Sequence, residues 1–392
     1  MTRPSRQDRW LFVDGSVEFG GHEIMLLRWA RELSRQAEVR PRILARAESK
    51  LLAEAAALAA PGPLPRHTGS RFALALRDVF AFVRIVRKMR PALCILAEGC
   101  VCAQPWFVFA ARALGCRVAV YVPLVESSEH MGFRHGALRD RLIRLFYANA
   151  PHAWITITAE QAHTFSRWAH VRRPIHTLPN AIGENMERRA ERIALGRAPI
   201  ASPLRILVLG RLEPHQKGLD ALLDYLEREA VRLHDVTVSF VGTGPFEQEI
   251  QRRRTRHAEL QRSVRLHPWS DPLEALCEHD VLLIPSRYEG VPLVMLEAMA
   301  MGLPVVASDL PGTRGFLPAD YLFARGDFAA AFAIAERLRA ESERQRVVQR
   351  NREVFLARTS GAAFRRAVST LTAQLHASDS SRRDAAACES ET

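Results

Sequence analysis

The sequence lacks the features of membrane-spanning, secreted and metal-binding proteins. Its 392 residues contain no run of 18 apolar residues, so no transmembrane helix is predicted. The first apolar stretch, Trp10 to Val13, is too short to be the core of a signal peptide. The six cysteines are scattered, and the Cys100-Val101-Cys102 spacing is not typical of a metal site, so we expect reduced structural thiols. These absences predict a cytoplasmic protein.

Acidic residues are too few to balance the basic ones. The chain has 55 lysine and arginine residues against 43 aspartate and glutamate residues, a net charge of +12, and arginine dominates. Nucleic acid, an anionic membrane surface or a phosphorylated substrate would each explain this excess. No RNA- or DNA-binding motif is apparent, so no nucleic-acid partner is expected. GC-rich codon usage, which inflates arginine, is the alternative without functional meaning.

The remaining composition is that of a globular protein with a full core, since 48% of the residues are hydrophobic and 25% are charged. The length predicts roughly two to three domains. Apolar strands alternate with amphipathic helical stretches, which predicts parallel, doubly wound sheets. One such helix, over residues 72–89, has an apolar stripe that we expect to face the core: Phe72, Leu76, Val79, Val83 and Val86.

The most informative stretch follows the apolar strand Val281 to Ile284. Glu289 falls in the loop at the end of this strand, and Pro292 suits the first turn of the next helix. That helix is expected from Leu293 to Met301, with Glu297 in its first half. Loops at the carboxyl ends of parallel strands line the crevice in which open α/β sheets bind ligands.

The start of this helix suits a phosphate, because the N–H groups around residues 290–293 carry partial positive charge. Carboxylates repel a diphosphate, so Glu289 and Glu297 are expected to accept hydrogen bonds from sugar or ribose hydroxyls instead. The alternative is a surface loop with two solvated acids.

A second loop, after the strand Arg205 to Leu209, supplies positive charge. Arg211 and Lys217 lie in it, between Gly210 and Gly218, which allow the backbone to turn tightly and approach a ligand. A helix dipole disfavours cations at the start of a helix, so these two make sense if an anion lies between them. Two exposed basic side chains are the alternative.

Together these stretches resemble the donor site of the retaining glycosyltransferases of family four (glycosyl transferases group 1), which have the GT-B fold. The resemblance covers most of residues 10–375 and is more specific in the C-terminal half. The residues that carry it are Gly20-Gly21-His22-Glu23, Gly210, Arg211, Lys217, Gly218, Gly242-Thr243-Gly244-Pro245, Glu289, Gly290, Pro292 and Glu297.

The resemblance implies two facing doubly wound, Rossmann-like domains with a cleft between them. It implies transfer of a hexosyl group from a UDP- or GDP-sugar to a hydroxyl of a lipid-linked or saccharide acceptor, with retention, in cell-surface polysaccharide or glycolipid assembly. The expected organisation is an acceptor-side domain over residues 1–183, a linker over 184–203, a donor domain over 204–360, a helix over 361–376 that crosses back to the first domain, and a disordered tail over 377–392.

In this interpretation Arg211 and Lys217 neutralise the leaving diphosphate, while Glu289 holds the donor sugar and Glu297 holds the ribose. No Asp-x-Asp pair lies at a strand end, so no metal or other cofactor is expected. The residues expected to bind the donor are Gly20, Gly21, Gly210, Gly242, His267, Trp269, Gly290, Val291, Pro292, Leu293 and Glu297. For Trp269 a position in the core is the alternative.

The loop after the strand Arg117 to Val122 departs from the family's pattern. Relatives often place a histidine directly after this strand, against the donor sugar, whereas Pro123 stands there in this chain. His130, seven residues later, is the catalytic candidate that could take its place, and a solvated loop histidine is the alternative. Glu126 and Glu129 are candidates for binding or deprotonating an acceptor hydroxyl.

The stretch that follows, Arg134 to Arg144, is basic and partly amphipathic, with Leu138, Leu142 and Leu145 on one face. Such a helix could rest peripherally on anionic lipid at the inner face of a membrane or hold an acceptor phosphate, and a solvated face is the alternative.

Two rival functions remain open. One is another enzyme of the GT-B fold, such as an epimerase or a phosphorylase. The other is a non-catalytic sugar-nucleotide-binding protein of a polysaccharide assembly system, which the absence of the usual histidine at Pro123 favours.

Overall fold

A computed structural model describes residues 9–36, 39–68, 71–194, 200, 202–229, 231 and 233–390, and the side chains of residues 71–73, 194 and 378–390 lie outside the described part. The chain forms two compact units, residues 1–179 with 364–392 and residues 180–363. Each unit is built on one parallel sheet with flanking helices.

In the described residues of the N-terminal part of the chain, the first unit contains six strands and six α-helices. The strands are β1 (Arg9–Val13), β2 (Arg40–Leu44), β3 (Leu93–Ala97), β4 (Arg117–Tyr121), β5 (Ala153–Thr156) and β6 (Ile175–Thr177). The helices are α1 (Gly21–Gln36), α2 (Lys50–Glu54), α3 (Arg71–Met89), α4 (Pro105–Ala113), α5 (Gly136–Leu142) and α6 (Ala159–Ala169). A π-helical turn, Ile143–Tyr147, continues α5. The strands pair in the order β2-β1-β3-β4-β5-β6.

The second unit repeats this plan. Its strands are β7 (Leu204–Leu209), β8 (Val236–Val241), β9 (Val264–His267), β10 (Val281–Ile284), β11 (Val305–Ser308) and β12 (Leu322–Phe323), in the order β12-β11-β10-β7-β8-β9. Its helices are α7 (Glu184–Ala194), α8 (Leu219–Glu229), α9 (Glu247–Arg256), α10 (Ala258–Ser263), α11 (Pro272–Cys277), α12 (Leu293–Ala300), α13 (Pro311–Arg314), α14 (Phe328–Arg337) and α15 (Glu341–Arg358). The last helix, α16 (Gly361–Ser390), belongs from Phe364 onward to the first unit.

The central strands are buried on both faces, as their nearly continuous apolar sequences require. Leu93 to Ala97 of β3 and Val281 to Ile284 of β10 are all buried. Helices on both faces of a parallel sheet exclude water from it, so the strands need no polar face. The predicted doubly wound parallel sheets are therefore confirmed in both units.

Each sheet has one point at which the strand order reverses. In the first unit β2 lies on one side of β1 and β3 on the other, and in the second unit β8 and β10 flank β7. At each reversal, the loops after two neighbouring strands lead to opposite faces of the sheet. A crevice opens between these loops at the carboxyl ends of the strands, and doubly wound folds bind ligands there. The loops after β1 and β3, and after β7 and β10, are therefore candidate ligand-binding loops.

The predicted core stripe of α3 is partly wrong. Leu76 is 48% exposed, Val79 and Val83 are half-buried, and Phe72 lies outside the described side chains. The face that packs inward contains Leu74, Asp78, Phe82, Ile85, Val86 and Met89. Asp78 is fully buried, and its charge is compensated there by an ion pair with buried Arg46. This charged residue on the buried face interrupts the apolar spacing from which the stripe was predicted.

Two further segments differ in local structure from the expectation. The stretch expected as a linker contains α7, whose Arg189 pairs with Asp271 at 2.8 Å within the second unit. The backbone of α16 is helical to Ser390, where a disordered tail was expected from residue 377. Among the described residues, no helix is both long and apolar enough to cross a bilayer.

Candidate functional site

A pocket lies at the crevice of the second sheet, where the loops after β7 and β10 meet. Its lining includes Gly210, Arg211, Lys217, Ser286, Glu289 and Pro292. The strand order brings these residues together, because β7 and β10 are neighbours although about 75 residues separate them.

Lys217 and Glu289 pair across this pocket. The Lys217 ammonium group donates a hydrogen bond to Glu289 Oε1, which also accepts one from the Ser286 hydroxyl at 3.0 Å. Glu289 is only 10% exposed and Lys217 is 25% exposed, so the pair is largely shielded from water but reachable from the pocket. The pair is therefore fixed by hydrogen bonds and still accessible to a ligand in the pocket.

Arg211 extends the positive charge toward solvent. It is exposed, and its guanidinium donates to Gln216 Oε1 at 3.2 Å. Gln216 in turn accepts, through its backbone oxygen, a hydrogen bond from the N–H of Arg287 at 2.8 Å. The cationic loop is thus attached to the loop that carries Glu289.

Glycines allow these loops to touch backbone to backbone. Gly218 has a φ of 66°, and a Cβ there would overlap the carbonyl oxygen of Pro285. A Cβ on Gly312, in α13, would overlap the carbonyl oxygen of Gly290. Both contacts require glycine, so the loops after β7, β10 and β11 converge only because these side chains are absent.

Arg287 fastens the two loops and was not predicted as a site residue. Its guanidinium binds both carboxylate oxygens of Asp220, at 2.7 and 3.0 Å, and the backbone oxygen of His215 at 2.8 Å. Burial raises the pKa of Asp220, but the hydrogen bond and positive charge of Arg287, together with hydrogen bonds from backbone N–H groups, outweigh this and lower it overall. A bidentate arginine is rigid, so this contact sets the position of Lys217 relative to Glu289.

The residues expected near the base lie along the adjoining strand ends. The Gly210 N–H donates to the carbonyl oxygen of Val241 at 3.0 Å, and the Gly242 N–H donates to that of His267 at 3.1 Å. Backbone hydrogen bonds therefore link the end of β7 to that of β8, and the end of β8 to that of β9. His267 is exposed, and Trp269 is 54% exposed, so the alternative of a core position for Trp269 is wrong.

Helix α12 begins at the pocket. Pro292 precedes it as the N-cap and Leu293 is its first residue, so the helix starts where the sequence predicts. The carbonyl oxygen of Val291 accepts a hydrogen bond from the Asn180 side chain at 2.7 Å. Glu297 is buried on α12, at 7% exposure. The first N–H groups of this helix have no partner within the helix, which favours an anion at Gly290 to Leu293.

In the first unit, a charged cluster occupies the crevice beside β1. His22 Nε2 lies 3.0 Å from Glu23 Oε1 and 3.3 Å from Asp14 Oδ2, and both carboxylates are 1% exposed. Burial lowers the pKa of His22, but the hydrogen bonds and negative charges of Asp14 and Glu23 outweigh it and raise this pKa to about 10. His22 is therefore an imidazolium at neutral pH.

The same cluster holds the glycine loop at the start of α1. The Gly20 N–H donates to Glu23 Oε2 at 2.8 Å, and the Ser16 hydroxyl donates to Glu23 Oε1 at 2.5 Å. Of the two predicted site glycines, Gly20 is thus held by Glu23, and Gly21 is the first residue of α1. Among the described residues this is also the cluster that could hold a metal ion, because its ligand atoms lie within 4.8 Å of one another. The positive charge of protonated His22 offsets the negative charge of the same carboxylates, Asp14 and Glu23.

Glu98, directly after β3, is a second buried acid that sequence reasoning missed. It is 1% exposed and accepts hydrogen bonds from the Tyr147 hydroxyl at 2.6 Å and from the N–H groups of Ala103 and Gln104. Burial raises its pKa to about 7, against the lowering effect of these hydrogen bonds. Its signal in the sequence is its place at the end of an apolar strand, followed by Gly99.

The structure places His130 with Glu126, in the loop after β4. His130 Nδ1 lies 3.9 Å from Glu126 Oε1, its side chain is 40% exposed, and its N–H donates to the Ser127 hydroxyl. Glu129 is exposed, and its backbone N–H donates to buried Asp140 at 3.2 Å. The histidine that lies beside the glycine loop is His22, not His130. His22 directly follows Gly20-Gly21, so it could have been recognised as a site residue from the sequence.

Comparisons with known proteins agree with the fold and with the second unit. Residues 203–338 match the family model described as glycosyl transferases group 1. The chain is 30% identical over 143 residues to a sulfoquinovosyl transferase of Arabidopsis thaliana, covering 35% of this chain and 26% of that protein. It is 35% identical over 151 residues to a phosphatidyl-myo-inositol mannosyltransferase of Mycobacterium leprae, covering 36% and 39%.

A solved structure matches along nearly the whole chain. HepE of Anabaena, in complex with UDP, superposes with a TM-score of 0.70 over 95% of this chain and 100% of that one, at 19% identity. The aligned stretches span only 26% to 39% of the curated relatives named above. The chain therefore has the GT-B fold, and its residues 203–338 match the glycosyl transferases group 1 family.

Proposed function

We propose that the protein is a retaining glycosyltransferase that moves a hexosyl group from a UDP- or GDP-sugar to an acceptor hydroxyl. The observation that carries the proposal is the pocket in which Arg211 and Lys217 face Glu289 at the crevice of the second sheet. Solved relatives of the same fold include one in complex with UDP-glucose, and a matched curated relative is named as a mannosyltransferase. These names support a nucleotide-sugar donor for this chain.

When a donor binds, Lys217 and Glu289 would contact different parts of it. Lys217, with Arg211 and the start of α12, would donate to the diphosphate, and Glu289 would accept from hydroxyls of the donor sugar. In the reaction, the bond from the anomeric carbon to the phosphate oxygen breaks and a bond to the acceptor oxygen forms. The acceptor's proton passes to the leaving diphosphate, whose growing charge Lys217 and Arg211 stabilise.

The remaining parts of the proposal follow from the same charges. Glu297 would hold the ribose, and His267 and Trp269 would lie near the base. Because two cations and a helix dipole already face the diphosphate, the reaction needs no metal ion. We also propose a lipid-linked or saccharide acceptor and a role in cell-surface polysaccharide or glycolipid assembly, which the lipid in the name of the mannosyltransferase relative supports.

The test is release of nucleoside diphosphate from a panel of UDP- and GDP-sugars, with a membrane lipid extract as acceptor. Wild type should release it from one donor, with and without EDTA, and Lys217→Ala should lower the rate about 100-fold or more. Arg256→Ala removes an exposed cation on α9 and serves as the matched control, with an unchanged rate.

Three results would contradict the proposal. One is an unchanged rate in a folded Lys217→Ala variant, which would remove the donor-site assignment. Another is saturable nucleotide-sugar binding by wild type without release from any donor, which would favour a non-catalytic binding protein. Inversion of the anomeric centre, read by NMR of the product, would overturn retention alone.

A further inference from the structure

Helix α5 and the π-helical turn that follows it expose apolar side chains on their outer side. Leu138, Leu142, Leu145 and Phe146 are 57%, 48%, 63% and 66% exposed. The opposite side of the segment packs inward through Gly136, Asp140, Ile143 and Tyr147. A helix at the surface of a globular unit normally presents polar residues to solvent, so this outer side is unusual.

The exposed apolar surface continues onto the next helix. Phe109 of α4 is 47% exposed, and its ring lies 6.2 Å from that of Tyr147, edge to face. Helices α3, α4 and α5 each connect parallel strands in the same direction across the sheet, so right-handed crossovers put them on one side of it. Phe80 of α3, which is exposed, is therefore on this side as well. We call Phe109, Leu138, Leu142, Leu145 and Phe146, with Arg141 and Arg144, the docking face.

All exposed charge on these helices is positive. Within α3, α4, α5 and the π-helical turn the acidic residues are Asp78 and Asp140, and both are buried. Asp78 pairs with Arg46, and Asp140 accepts hydrogen bonds from the N–H groups of Ser128 and Glu129. The exposed charged side chains are Arg77, Arg84, Arg87, Lys88, Arg112, Arg141 and Arg144.

We propose that the docking face binds the surface of an anionic lipid bilayer. Leucine and phenylalanine side chains would enter the boundary between headgroups and acyl chains, and the flanking arginines would contact lipid phosphates. Charge complementarity selects an anionic partner, and the apolar tips select a bilayer over a nucleic acid, which offers phosphates but no apolar layer to enter. The inference goes beyond the proposed transfer reaction and does not depend on it.

The experiment is co-sedimentation of the full chain with phosphatidylcholine vesicles, with and without phosphatidylglycerol. One variant combines Leu142→Ser, Leu145→Ser and Phe146→Ser, and a second combines Arg141→Ser and Arg144→Ser. Matched controls replace exposed residues of the second unit: Val231→Ser with Leu356→Ser, and Arg256→Ser with Arg262→Ser. We expect binding only to the anionic vesicles, at least about tenfold weaker in both docking-face variants and unchanged in both controls.

Several outcomes would overturn the proposal. Wild type that does not bind anionic vesicles would remove it directly. If the arginine variant loses binding but the apolar variant binds like wild type, the face is a general polyanion site, and competition by single-stranded DNA would show this. Equal losses in the controls would mean that net charge or hydrophobicity, not this face, drives binding. Nucleotide binding measured on the same variants keeps the donor site separate, because it should be unchanged in all of them.

Discussion

At the scale of single residues, burial beside particular neighbours decides which side chains carry charge. Lys217 is one of only three lysines in a chain rich in arginine, and it was predicted as a site residue from its place between a strand end and a helix start, together with Arg211 and the flanking glycines, and from the family resemblance. Glu98 was missed because nothing local shows that Tyr147, from a distant part of the chain, contacts it. His22 was missed although it directly follows Gly20-Gly21, because the sequence does not show that Asp14 and Glu23 are buried against it. Their protonation follows from those contacts and can be tested by pH.

For His22, stability should fall as the solution becomes alkaline. Its pKa is about 10 in the folded chain and near 6.5 when unfolded, so between these values the folded chain holds a proton that the unfolded chain has lost. The stabilisation is complete below pH 6.5 and is lost as the pH rises through 10, with a slope of up to about 1.4 kcal/mol per pH unit. Urea unfolding of wild type and His22→Gln across this window measures it.

The His22→Gln variant should lack this slope and be less stable than wild type below pH 6, and the difference should shrink as the pH rises toward 10. A slope that persists in the variant would assign the effect to another group. Stability that drops on adding EDTA at constant pH would show that a metal ion, rather than the proton, balances Asp14 and Glu23.

Glu98 should destabilise the fold when it ionises. Burial raises its pKa to about 7 from about 4.5, so the folded chain keeps this proton in a range where the unfolded chain releases it. Stability is complete below pH 4.5 and falls by about 3 kcal/mol as the pH rises through 7. Glu98→Gln should remove that fall and be more stable than wild type at pH 8, as measured by urea unfolding. Glu126→Gln, on a half-buried loop acid, is the matched control and should behave like wild type.

At the scale of elements, the candidate site depends on contacts between loops far apart in sequence. The loop after β7 meets the loop after β10 through Gly218 and Arg287, and the loop after β11 meets the latter through Gly312. The sequence predicted the loops, their glycines and the start of α12, since these are local features. It did not predict Arg287 as part of the site, because the residue's role lies in its contacts with Asp220 and His215 about 70 residues earlier.

Arg287→Lys should therefore impair the proposed transfer without unfolding the chain. Lysine keeps the charge but cannot bind both oxygens of Asp220, so the loop with Lys217 loses its fixed position. We expect kcat/KM for the donor to fall about 10- to 100-fold, mainly through kcat, with thermal unfolding nearly unchanged. Arg325→Lys, at an exposed arginine near the same loop, is the control. Equal kinetics in Arg287→Lys and wild type would contradict the positioning role.

At the scale of the whole molecule, two units repeat one architectural plan. Each sheet reverses its strand order once, and each reversal carries a charged cluster: His22 between Asp14 and Glu23 in the first unit, and Lys217 with Glu289 in the second. The alternation of strands and helices was predictable except for α7 and the end of α16, whereas the order in which strands pair was not. The order determines which loops become neighbours, and so it determines the Lys217–Glu289 pair, whereas Asp14, His22 and Glu23 lie in the single segment that joins β1 to α1.

The amino-acid sequence by itself determined the elements of this protein and the loops at their ends. Apolar periodicity, proline at helix starts and glycine at turns act over a few residues, so they can be read without the fold. Only the tertiary structure decided that Glu98 holds its proton up to about pH 7, that Asp78 lies on the buried face of α3, that Arg287 joins two loops, and that leucines of α5 face solvent. Each of these depends on residues that are distant in the chain and close in space, and the free energies involved arise only when packing removes water from between them.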